Sequence, residues 1–154
     1  MSRAIRHGNT VAAIVAIAVA GCGSSQKATP REQQQQVEQV LRSYLRAQTS
    51  GDGQTACSLL TDAAQRQLET LVLQAGNGLL TTPPSCRDAV GLVRAVAGAK
   101  LLNALSKAQI AQVRLQGTDA TAEIIDGAAF GQQQVSLQRS GSTWQIAGVP
   151  ALTG

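Results

Sequence analysis

Near Ile110 the apolar spacing changes from a helical period of about 3.6 to a strand period of about 2, and no other feature limits the fold as much. Upstream, apolar stripes at helical spacing alternate with caps and breakers. Thr29 is a good N-cap, Pro30 suits a first helical position, and Glu32 stands three residues after Thr29 as in a capping box. Val37, Val40, Leu41, Tyr44, Leu45 and Gln48 then form one stripe, which Gly51 ends. Residues 30–49 are therefore predicted to make one long helix, with the Gln33–Gln36 run on its water side. Asp52 caps a short second helix carrying Ala56, Cys57, Leu59 and Leu60. Thr61 or Asp62 opens a third through Leu68, Leu71, Val72 and Ala75, before Gly76-Asn77-Gly78. Pro83-Pro84-Ser85 breaks the chain, and Ser85 with Asp88 starts a fourth through Val90, Val93 and Ala97. Residues 99–108 are ambiguous; Leu101, Leu102 and Leu105 suggest one more short helical turn.

Downstream, Ala111, Val113 and Leu115 alternate with Gln112, Arg114 and Gln116 as in a half-buried strand. Gly117-Thr118-Asp119 turns into a second strand over 120–125, and Asp126-Gly127 begins a looser connection. Val135 and Leu137 mark a third strand. Ser140-Gly141-Ser142 turns into a fourth, where Trp144 and Ile146 share a face. Helices first and an antiparallel meander afterwards make an α+β fold, with a sheet of four or more strands from roughly 109–149. Its core is expected to hold Leu41, Tyr44, Val113, Leu137, Trp144 and Ile146.

The N-terminus says where such a domain works. Arg3 and Arg6 precede an uncharged apolar run from Val11 to Ala20, and small residues follow. This is the pattern of a secretory signal peptide, and the run is short of the roughly 20 residues a membrane span needs. Val19-Ala20-Gly21-Cys22 resembles the bacterial lipobox. The resemblance implies that Cys22 carries a diacylglyceryl group and that lipoprotein signal peptidase cuts between Gly21 and Cys22. A thiolate is the nucleophile that thioether formation needs. An uncleaved anchor with an incidental cysteine is the alternative. The expected organisation is a signal over 1–21, a lipidated cysteine and short tether over 22–29, and a single domain over 30–150. The localisation that follows is the extracytoplasmic face of the cell membrane.

Cleavage would also change the composition that function must be argued from. Arg3 and Arg6 leave with the signal, so the formal charge of +4 falls by two. The scattered arginines and three aromatics provide no basic stripe or stacking platform, so nucleic acid is not an expected partner. The single histidine is His7, within the signal. A mature chain without His has no imidazole base and no His-based metal site, and no cofactor is expected. With Cys22 assigned to lipid, Cys57 and Cys86 are an even pair in an exported domain and read as one disulfide, free buried thiols being the alternative.

A long helix ending in Ser50-Gly51-Asp52-Gly53, then Ala56-Cys57-Ser58-Leu59-Leu60, then hairpins closing on Thr143-Trp144-Gln145-Ile146-Ala147 resemble the nuclear transport factor 2-like superfamily, over about 32–149. More narrowly, the pattern is similar to small actinobacterial lipoproteins of that fold. The resemblance implies a curved sheet that encloses a cone-shaped pocket with the long helix. Tyr44, Leu41 and Trp144 are the candidate lining residues. Two functions follow. One is a non-catalytic domain that binds an envelope protein or a small apolar ligand. The other is a cone-pocket isomerase or dehydratase using Tyr44 and a carboxylate. The acids favour the first, because Asp52, Asp62, Asp119 and Asp126 fall at caps and turns, and Glu123 points outward if its apolar strand neighbours point in.

Overall fold

The protein's structure, a computed structural model, describes residues 28–125 and 131–149. The signal segment, Gly21, Cys22, most of the tether and Asp126-Gly127 lie outside those residues.

Helix α1 spans Pro30–Ser50. Thr29 Oγ1 accepts from the Glu32 N–H at 3.3 Å, and Glu32 Oε2 accepts from the Thr29 N–H at 2.6 Å, which closes the capping box. Gly51 ends the helix with φ at 77°, where a side chain would be strained. Asp52 caps α2 (Gly53–Ser58), Thr61 caps α3 (Asp62–Ala75) and Ser85 caps α4 (Cys86–Val96). The ambiguous stretch forms α5 (Ala99–Ser106). Leu59 and Leu60 fall beyond α2 rather than on it. Leu60 instead makes a parallel bridge to Ile146, with Ile146 donating to the Leu59 carbonyl and accepting from the Thr61 N–H.

Strands β1 (Gln109–Gln116), β2 (Asp119–Ile125), β3 (Gln132–Ser140) and β4 (Thr143–Gly148) form an antiparallel sheet in sequence order. Gly117 and Gly141 start the two-residue turns of the outer hairpins, both at positive φ. Each outer strand carries one extra residue. Between Ala111 and Arg114 the register advances three residues on β1 against two on β2, and Gln112 takes a φ of 50° there. On β4 the step from Ile146 to Gly148 faces a single step from Leu137 to Ser136. These are β-bulges, which bend a strand and blunt a sheet edge.

The bulge corrects the simple alternation expected for β1. Ile110 pairs with Ile124 and Leu115 with Ala120, both on the core face, whereas Ala111 pairs with Glu123 on the other. Ile110, Val113 and Leu115 pack on the core, and Ala111 does not. The remaining expectation holds: α1 packs across β1 and β4, and Leu41, Tyr44, Leu137, Trp144 and Ile146 are buried in one cluster. Val113, on the edge strand, is half-buried. Among the described residues the fold is α+β, five helices against one open four-stranded sheet.

Candidate functional site

Tyr44 and Gln48 stand one turn apart on α1, so both face the core. Gln48 Nε2 donates to Tyr44 Oη at 2.8 Å, and both side chains are buried. A glutamine inside an apolar stripe must find a partner or leave a buried amide unmade, at about 1–3 kcal/mol. Tyr44 is that partner. The bond occupies an acceptor lone pair of the phenol and does not use its O–H hydrogen. Burial pushes the Tyr44 hydroxyl up from 10.0 to about 12, and the Gln48 bond opposes this only in part. The phenol therefore stays neutral at any physiological pH.

The pair borders a cavity of about 70 Å³. Leu68 and Leu71 of α3, Val93 of α4, Leu101 and Leu105 of α5, and Ile124 and Val149 make the rest of its wall with Leu45. Among the described residues the wall is apolar apart from the Tyr44–Gln48 pair, and none of those lining it is a carboxylate. Enclosed sites for drug-sized ligands run to several hundred Å³, so this space fits only a small apolar group or the end of a chain.

Four of the acids are engaged away from this cavity. Asp52 accepts from the Thr55 hydroxyl at 2.6 Å and the Thr55 N–H at 3.0 Å, which holds its carboxyl below the usual range. The Thr29 N–H and hydroxyl do the same for Glu32. Asp88 accepts from Ser85 Oγ, and Glu123 from Gln132 Nε2, each at 2.6 Å on the exposed surface.

Of the candidate lining residues, Tyr44 borders this cavity. Leu41 lies fully buried in the core and is not in its wall. Trp144 faces a separate shallow groove with Gln36, Gln39, Val40 and Leu59. Its ring is 1 % exposed, its indole N–H has no hydrogen-bond partner among the described residues, and the Arg139 guanidinium lies 5.7 Å from the ring centroid. Cys57 and Cys86 are joined in a disulfide, with their Cα atoms 6.1 Å apart. Comparison with protein-family models, curated proteins and solved structures found no match. The site is thus read from its own chemistry.

Sequence reasoning missed most of the wall. Gln48 was visible as the polar break in the α1 stripe, four residues after Tyr44, and that spacing is the signal for the pair. Leu101 and Leu105 sat in a stretch whose period was too short to read.

Proposed function

We propose that the protein is a lipoprotein held at the extracytoplasmic face of the cell membrane by Cys22, with a domain that binds a small apolar ligand without transforming it. The observation that carries the binding reading is the cavity itself: apolar, roughly a chain-end in size, with one neutral hydroxyl and no carboxylate on its wall among the described residues. An isomerase or dehydratase needs a base near its substrate, poised close to the working pH. The buried neutral phenol is a hydrogen-bond donor, suited to a ligand's ester or ether oxygen. The Cys57–Cys86 disulfide supports export, because such bonds persist in oxidising compartments. It also leaves Cys22 as the one cysteine outside that disulfide, directly after Val19-Ala20-Gly21. A nuclear transport factor 2-like cone remains part of this proposal, supported by the order of long helix, short helices and bulged meander.

The test is to purify the native protein from membranes, extract it with organic solvent and identify the co-purifying molecules by mass spectrometry. The expected result is an acylated N-terminal Cys22, together with a separate apolar species that Ile124→Phe, which fills the cavity, no longer retains. An intact unacylated N-terminus would overturn the anchor. A ligand profile unchanged by Ile124→Phe would overturn the site.

A further inference from the structure

We propose that the ligand of the Tyr44 cavity is an anionic amphiphile, with its chain end in the cavity and its carboxylate or phosphate head on Arg42 and Arg46. This rests on the apolar-ligand reading and adds the head, which that reading leaves open. Helix α1 carries two neighbouring stripes. Leu41, Tyr44, Leu45 and Gln48 are buried against the core. Arg42, Leu45, Arg46 and Thr49, three and four residues apart and so on one face, line a groove of about 240 Å³ with Leu105, Ser106 and Ala108. Leu45 and Leu105 belong to the groove and to the cavity wall alike. The two spaces therefore adjoin at one seam, where α1 meets α5.

Charge selects the head. Among the described residues none lining the groove is an acid, and the Arg46 guanidinium has no ion pair or hydrogen bond. Arg42 Nη2 meets Glu38 Oε2 at 3.2 Å, but the two side chains are 64 % and 39 % exposed. So exposed a pair contributes at most about 1 kcal/mol, and Arg42 can exchange it for a stronger partner. Arg94 Nε donates to the Thr49 carbonyl at 3.0 Å, which brings a third guanidinium to the Thr49 end of the groove. A guanidinium holds a carboxylate or phosphate through paired N–H donors. An uncharged head would gain nothing from these cations. An inorganic anion would use the arginines and leave the cavity empty, so the shared wall of Leu45 and Leu105 selects one molecule with both parts.

Entry follows from how α5 is held. The helix has eight residues, Gly98 gives its N-terminus no side-chain cap, and Ala104 is its one buried residue. Leu101 and Leu105 close the cavity from this helix. A short element with so little buried surface opens at low cost, so an outward shift of α5 admits the chain from the groove side.

The test titrates decanoate, decyl phosphate, decanol and acetate into the mature chain with Cys22→Ser, stripped of bound molecules, and reads affinity by calorimetry. Expected is binding of decanoate or decyl phosphate about tenfold or more tighter than decanol, weakened by salt, with no binding of acetate. Arg42→Gln/Arg46→Gln should bring the anionic chain down to the affinity of decanol, and Ile124→Phe should remove its binding. Circular dichroism unchanged from the parent shows that the variants fold. The tighter of decanoate and decyl phosphate tells a carboxylate head from a phosphate, and either supports the proposal by exceeding decanol. Decanol binding as tightly as both, and lost in Ile124→Phe, would overturn the anionic head and leave the apolar cavity standing. Binding of none of the three chains would overturn the proposal. So would anionic binding that survives in folded Arg42→Gln/Arg46→Gln or in folded Ile124→Phe. The cavity itself is judged separately, by the native ligand profile of Ile124→Phe.

Discussion

Tyr44 shows how far one residue can be taken. It is the only tyrosine in the chain, so phenolate absorbance titrates a single group. Burial raises its folded pKa from 10.0 to about 12. The folded state therefore keeps its proton where the unfolded state has lost it. The stability this represents is complete below pH 10, declines as pH rises toward 12, and amounts to about 2–3 kcal/mol in all. Absorbance should show no phenolate until well above pH 10 in the folded protein. Tyr44→Phe should flatten that alkaline decline relative to the parent. At neutral pH the same variant should cost about 1–3 kcal/mol, because Gln48 Nε2 loses its acceptor inside the core. A phenolate signal already complete near pH 10 would show that Tyr44 is solvated. The position of Tyr44 on the buried face was legible from the α1 stripe. Its partner was not, since a Gln at that spacing reads equally as the edge of the stripe.

At the scale of the element, sequence was most informative where a cap and a period agreed. Thr29, Asp52, Thr61 and Ser85 each accept the backbone N–H three residues on, as their side chains predict. The limits were physical. Helix α5 has eight residues, about two turns, too few for a period to emerge from the leucine content of 99–108. The β1 bulge was invisible because apolar residues occupy both parities: Ile110 and Ala111 are adjacent, and either could begin an alternating run. Only pairing with β2 decides, by placing Ile110 opposite Ile124. Gln112 accommodates the extra residue with a φ of 50°, a left-handed conformation that costs a non-glycine residue about 1 kcal/mol. Gln112→Gly should therefore be neutral or stabilise by up to about 1 kcal/mol in urea unfolding, against the usual penalty for glycine in a strand. A clear loss of stability would show that the Gln112 side chain, which accepts from Arg114 at 2.8 Å, matters more than the backbone strain.

For the whole molecule, the helices outside α1 need a tie that their lengths do not supply. Helix α2 has six residues, too short to persist by its own hydrogen bonds. It is held where Cys57 meets Cys86 at the first residue of α4. The backbones come close at this point: a Cβ on Gly53 would lie 2.7 Å from the Arg87 carbonyl oxygen and 2.9 Å from its Cα. The disulfide thus closes the connection that contains all of α3, over a sequence separation of 29. In the chain-entropy account, a loop of that length restricts the unfolded state enough to contribute about 3–4 kcal/mol. Reduction, or Cys57→Ala/Cys86→Ala, should therefore lower the urea midpoint by that amount of stability. It should also steepen the transition, because the unlinked unfolded chain exposes more surface. Ala56, Ala64, Leu68, Ala89 and Val90 are buried by packing of their own around the bond, so far-ultraviolet circular dichroism of the reduced protein should retain the helical signal below the midpoint. Coincident unfolding curves for reduced and oxidised protein would mean that packing around Gly53 and Ala89 already fixes α2 on α4, and that the cross-link adds nothing to it.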